Sequence, residues 1–176
     1  MKQLAAIILV STIFISINAC TDNRKAKNYN VGPDTGVSVV FVQKCLENGN
    51  AELSLSKLAL RNSRNPEVIN YAKRMVDEHT KAAKDLKKIA KEQGVKVLDS
   101  LSTIHGQAMA ALSKKLGPDF DKDYIQAMVQ DHEQTITLLK SAATSNNKNV
   151  SDFANKMLPI IQDHLKQANI ICAKLK

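Results

Sequence analysis

Apolar residues recur at helical spacing along most of this chain, and breaks in that spacing divide it into helical segments. From about Val37 to Asn62, residues such as Phe41, Val42, Cys45, Leu46, Gly49, Leu53, Ser56, Ala59 and Leu60 gather on one side of a helix. Asn65-Pro66-Glu67 restarts the chain, with Asn65 as an N-cap and proline in the first turn. This second predicted helix continues to about Gln93, where Gly94 stops it. Val95 to Asp99 reads as a connector, and Leu101 to Leu116 as a shorter helix ended by Gly117-Pro118. The next helix starts near Asp119 and fades into the polar turn Ser145-Asn146-Asn147-Lys148-Asn149. The last runs from about Val150 to Lys174; Pro159 inside it deletes a backbone donor and should bend it.

The short turns near residues 64 and 147 predict two antiparallel hairpins, one from each half of the chain. A connector containing a helix lies between them, long enough to run back along the bundle. The expected fold is therefore all-α, a four-helix bundle with a long crossover that contains an extra helix. Composition agrees: aromatic residues make up 4% of the chain, tryptophan is absent and six glycines are too few for a strand-and-turn architecture.

Certain polar residues interrupt the apolar faces. The pattern Tyr71-x3-Met75-Val76-Asp77-Glu78-His79 recurs as Tyr124-x3-Met128-Val129-Gln130-Asp131-His132, so two helices carry a histidine at the same place in the same motif. His79 and His132 fall inside the apolar stripes of their helices, with Glu78 and Asp131 at the borders. Glu52 falls between Phe41, Cys45 and Ala59, and His164 beside Phe153, Met157, Ile160 and Ile161, whereas Glu47 and Asp163 point away. All four inward groups stand at similar distances from their hairpin turns, with mismatches of only about 3–5 Å along the axis.

Four ionisable groups cannot converge in an apolar core without partners, since burying each alone costs several kcal/mol. Two arrangements satisfy them. Glu52, His79, His132 and His164 form a suitable ligand set for a divalent metal, zinc first by ligand type and copper second, with nickel also possible. Alternatively they form a hydrogen-bonded layer in which Glu52 accepts from histidines. No HExxH or ExxH motif is present, and inward carboxylates are too few for a ferritin-type di-iron centre. Met75 and Met128 share helix faces with His79 and His132 and could serve copper(I), but methionine at this spacing ordinarily fills cores. His105 lies on the apolar side of the crossover helix with Ile104 and Leu112 and reads as structural.

The N-terminus changes the picture of where the bundle works. Lys2, an apolar run from Leu4 to Ile17 and the ending Ile17-Asn18-Ala19-Cys20 read as an export signal over residues 1–19, too short to span a bilayer comfortably. The ending resembles the lipobox of bacterial lipoproteins, which implies that Cys20 becomes the lipidated first residue of the mature chain; an ordinary signal or an uncleaved anchor is the alternative. Residues 20–36 read as a flexible tether, leaving 37–176 as the bundle domain. With Cys20 lipidated, Cys45 and Cys172 are the only possible disulfide pair. A crossover places them at opposite ends of the bundle, so no disulfide is expected.

A formal charge of +8 is concentrated on one helix, in Lys73, Arg74, Lys81, Lys84, Lys87, Lys88 and Lys91. Such a face either leans on anionic headgroups or is simply solvated. No aromatics interleave with the lysines, which argues against a nucleic-acid partner.

From Phe41 to Leu175 the chain resembles the bacterial envelope family called domain of unknown function 4142. The resemblance rests on Asn50-Ala51-Glu52-Leu53, on Ala72-x2-Met75-Val76-x2-His79, on Phe120-Asp121-x2-Tyr124 leading to Asp131-His132, and on Leu158-Pro159-x4-His164-Leu165. It implies a ferritin-like bundle behind an export signal and assigns no activity. Lys96-Val97-Leu98-Asp99 lacks the proline expected in that connector. The resulting expectation is a lipid-anchored envelope protein of unassigned activity, acting as a binding or stress-related module. A metal-dependent enzyme at the same site and a basic scaffold on the envelope are the alternatives.

Overall fold

A computed structural model describes residues 35–97 and 100–175. The predicted signal and nearly all of the predicted tether, Cys20 included, lie outside the described residues. Five helices follow in order: α1 Thr35–Asn62, α2 Pro66–Glu92, α3 Thr103–Leu112, α4 Gly117–Ala142 and α5 Lys148–Lys174.

Local chemistry sets most of these boundaries. The Asn65 side chain caps α2 by accepting from the backbone N–H of Glu67 at 2.9 Å, with Pro66 supplying the preset first turn. Ser102 caps α3 through His105 N–H, and Asn147 caps α5 through Val150 N–H. α1 begins at Thr35, slightly inside the predicted tether. Gly117-Pro118 does not terminate α3, as the sequence suggested, but opens α4: Gly117 takes φ 57° and Pro118 occupies the first turn. α3 consequently ends earlier, at Leu112. α5 remains one helix through Pro159.

α1 and α2 form one antiparallel hairpin and α4 and α5 the other, with α1 beside α4 and α2 beside α5. α3 carries the chain back along the outside, touching α1 and α4. This is the four-helix bundle with a long crossover. In it α2 and α4 run parallel, as do α1 and α5.

The core is divided in two. At the end near residue 64, Leu55, Tyr71, Met75, Phe120, Tyr124, Met128 and Ile171 pack together; at the end near residue 147, Phe41, Leu46, Leu86, Leu139, Phe153 and Ile161 do so. Met75 and Met128 thus belong to an apolar cluster. Between the two clusters, on all four long helices, lie Glu52, His79, His132 and His164.

Some predicted apolar faces turn outward. Leu60 is exposed, while Leu55 and Leu58 are buried in its place, because α1 packs against both α2 and α4 and its buried arc is wider than one stripe. Ile104 is also exposed, since the crossover helix covers little of the bundle and buries only Leu112 completely.

Cys45 is free and Cys172 is disulfide-bonded. The expectation of no disulfide is therefore corrected. The topological argument excluded a Cys45–Cys172 bridge, and those two cysteines do occupy opposite halves of the bundle, but the argument bore on no other pairing of Cys172.

Candidate functional site

The four predicted site residues meet at one level. Glu52 is 1% exposed, His79 6%, and His132 and His164 are fully buried. The ring centroids of His79, His132 and His164 form a near-equilateral triangle with sides of 5.7, 5.5 and 5.3 Å. Their burial follows from sequence: each occupies a core-facing position of its helix between residues that belong to the two apolar clusters.

Hydrogen bonding defines what each ring can do. His79 Nδ1 lies 2.9 Å from Glu52 Oε2. His132 Nδ1 lies 2.7 Å from the carbonyl oxygen of Met128, and His164 Nε2 lies 2.7 Å from Glu78 Oε2. A carbonyl or carboxylate oxygen only accepts, so each imidazole donates through that nitrogen. In the neutral ring the other nitrogen then carries a lone pair: Nε2 of His79, Nε2 of His132 and Nδ1 of His164.

Two of those lone pairs face each other. His132 Nε2 and His164 Nδ1 are 3.3 Å apart, and His79 Nε2 is buried without a hydrogen-bond partner. One ring nitrogen from each histidine lies within 4.8 Å of the others, a grouping that can hold a metal ion. A tetrahedral ion with nitrogens at about 2.0–2.1 Å has nitrogen–nitrogen edges of about 3.3–3.4 Å, the spacing already present between His132 and His164. Without a cation between them, two lone pairs would oppose each other in the buried layer.

Electrostatics follow the same pattern. Burial pushes the Glu52 carboxyl up, but His79 and His132 together pull it down to about 2, so it is ionised. Burial acts against protonated His79, yet Glu52 beside it raises its affinity for a proton. Burial and the neighbouring His132 lower His164 to about 4, and burial lowers His132 likewise. Two of the three rings are thereby held neutral, the form in which imidazole binds metals.

Beyond the rings, Glu78 accepts from Arg74 Nε at 2.8 Å, and Arg74 also donates to Asp163 Oδ2 at 2.6 Å, across α2 and α5. Sequence reasoning left Glu78 at the stripe's edge and missed its bond to His164. Its position beside His79 in the repeated motif was the available signal. Asp131 does not join the layer; His105 reaches it from α3 at 3.4 Å and reaches Glu47 on α1 at 2.6 Å. The carboxylates on either side raise His105 to about 9, chiefly through the bond to Asp131, so it ties the crossover to the bundle as an imidazolium.

The repeated motif meets itself. Tyr71 and Tyr124 pack edge to face at 6.4 Å, and one level further His79 and His132 do the same at 5.7 Å. Such pairing requires α2 and α4 to run parallel, which the crossover provides.

The family model for the domain of unknown function DUF4142 matches residues 27–171. The chain belongs to the DUF4142 family. Among solved structures, a crystal structure of a DUF305 fragment from Deinococcus radiodurans is similar, with a TM-score of 0.71 and 15% sequence identity over 81% of this chain and 99% of that one. At that identity the likeness establishes the helical fold alone. No curated protein matches the chain. No described helix of this DUF4142 protein is long and apolar enough to cross a membrane.

Proposed function

We propose that this DUF4142 protein is a lipid-anchored component of the cell envelope whose bundle holds one divalent metal ion on His79 Nε2, His132 Nε2 and His164 Nδ1. One observation carries the metal: each imidazole has one nitrogen committed to an acceptor, leaving a lone pair on each ring of a buried cluster in which one nitrogen per ring lies within 4.8 Å of the others. Nitrogen ligands of this kind suit zinc first and copper second. Glu52, expected as a fourth ligand, is better read as the group that orients His79, as Glu78 and the Met128 carbonyl orient the other two rings. Outer partners of this type set tautomer and ligand basicity. The role proposed is that of a binding module, and no reaction is assigned.

Elemental analysis after zinc reconstitution, on the mature domain and on His79→Ala and His132→Ala, tests the metal. One equivalent in the parent and little in the variants, with helix content preserved by circular dichroism, is the expected result. Negligible metal in the parent would leave a purely hydrogen-bonded layer sharing a proton.

The anchor rests on the Ile17-Asn18-Ala19-Cys20 ending. Intact mass of the membrane fraction, compared with Cys20→Ser, tests it; an acylated mass lost in the variant is expected, and an unmodified parent mass would remove the anchor.

A further inference from the structure

Lys84, Lys87, Lys88 and Lys91 occupy the last turns of α2, and all four are exposed. Spacings of three and four residues put them on one side of the helix, in a strip about 10 Å long. The two acids of this stretch lie on its flank and are held by α5: Asp85 pairs with Lys156 Nζ at 2.8 Å, and Glu92 Oε2 accepts from Asn149 at 3.1 Å. Lys88 reaches Glu92 only at 4.0 Å. Charges are thus sorted here, with acids toward α5 and lysines on the outer side. Nearer its start α2 mixes them instead, pairing Lys81 with Asp77 at 2.7 Å and Arg74 with Glu78 at 2.8 Å.

The strip stands where the chain enters the bundle. Phe41 and Val42 of α1 pack in the same apolar cluster as Ile89, Ala90 and Val95, and Gln43 Nε2 donates to the Lys96 carbonyl at 3.2 Å. α1 begins at Thr35, so the chain from Cys20 reaches the bundle at this end. A segment of about 15 residues spans about 50 Å when extended and about 20 Å on average as a coil. A lipid on Cys20 would therefore keep the lysines close to headgroups, at a high effective concentration.

Like charges three and four residues apart on a helix repel one another, and a surface of opposite charge relieves that repulsion. The strip is too small for a second protein, since a stable interface takes about 800 Å² from each partner. It carries no aromatic ring on which a base could stack. Headgroups ask for charge density alone, and each lysine held near an anionic surface strengthens partitioning about fivefold.

We infer that Lys84, Lys87, Lys88 and Lys91 form a docking strip for an anionic lipid surface, which lays the α2 side of the bundle against the membrane that holds the chain. The holding rests on the lipid-anchor reading above; the strip itself does not. A single acyl chain binds a membrane reversibly, and a polybasic patch is the kind of second signal that makes attachment stable. The contact is electrostatic and therefore weakens as salt rises.

Co-sedimentation of the mature chain, produced without lipid, tests the strip apart from the anchor. The vesicles are three parts phosphatidylcholine to one part phosphatidylglycerol, with phosphatidylcholine alone as the comparison. Binding to the anionic vesicles only, reversed by salt, is expected. The triple variant Lys84→Gln, Lys88→Gln, Lys91→Gln should weaken it at least about tenfold. Lys57→Gln, Lys114→Gln, Lys122→Gln removes the same charge from exposed positions near the other end and should change it by less than about threefold. Glutamine suits a helix, and circular dichroism checks that both variants fold. No binding to anionic vesicles, equal binding to phosphatidylcholine alone, or equal losses in the two triples would each overturn the strip. None of these outcomes touches the anchor, which the acylated mass decides.

Discussion

His79 donates Nδ1–H to Glu52 at 2.9 Å while its other nitrogen, equally enclosed, has no partner. The carboxylate therefore presents a lone pair to the centre of the bundle, and its charge makes that lone pair more basic.

Glu52→Gln tests this division of labour. The amide oxygen can still accept from His79, so tautomer and packing persist, but the negative charge is gone. Zinc affinity should fall about 10–100-fold with little change in helix content. Competition titration against a chelator measures it; unchanged affinity would mean that Glu52 does not tune the ligand.

Acid should destabilise the metal-free protein in two stages. His164 is lowered from its ordinary value of 6.5 to about 4, so the unfolded chain binds the extra proton between those values and stability falls as pH drops through that window. His132 shifts in the same direction, and His79, raised by Glu52, opposes them. Glu52, lowered from 4.5 to about 2, contributes stability that is present above 4.5 and lost as pH falls toward 2. Melting temperature against pH should decline from about 6.5 downward, at most about 1.4 kcal/mol per unit for each group. Loading with zinc should raise stability and steepen the upper stage, because metal-bound imidazoles take up no protons while those of the unfolded chain do.

The crossover should detach separately from the core. His105 holds α3 to Glu47 and Asp131, and its pKa, raised from 6.5 to about 9, means that this contribution is complete below 6.5 and lost as pH rises through 9. His105→Ala should cost about 1–3 kcal/mol and speed amide exchange in α3 while the amides of α2 stay protected. Uniform acceleration throughout the bundle would contradict it.

Gly117 opens α4 at φ 57°, and a Cβ there would meet nothing within 4 Å. Any cost of Gly117→Ala is therefore one of backbone conformation. A loss of about 1–2 kcal/mol in denaturant unfolding is expected. No loss would show that the turn relaxes.

The inward direction of Glu52, His79, His132 and His164 was legible because helical periodicity assigns each residue a face, and equal depth from the hairpin turns assigns a level. The crossover was legible from connector length. What Glu78 touches was not, because a residue at the border of a stripe finds its partner only once a second helix has been docked at a particular rotation; the Met128 carbonyl is hidden for a related reason, since backbone acceptors leave no mark in a sequence. Leu60 and Ile104 were placed inside by a single-stripe reading, which fails where a helix packs on two neighbours or on almost none. Gly117-Pro118 was ambiguous in kind, because a glycine with positive φ followed by proline can close one helix or open the next.

Glu52 and His79 come from the first hairpin, His132 and His164 from the second, and α3 with its flanking connectors carries the backbone from one to the other. An ion held on these histidines would act as a clasp between two halves of one chain, and the crossover would matter more for bringing the halves together than for keeping them so.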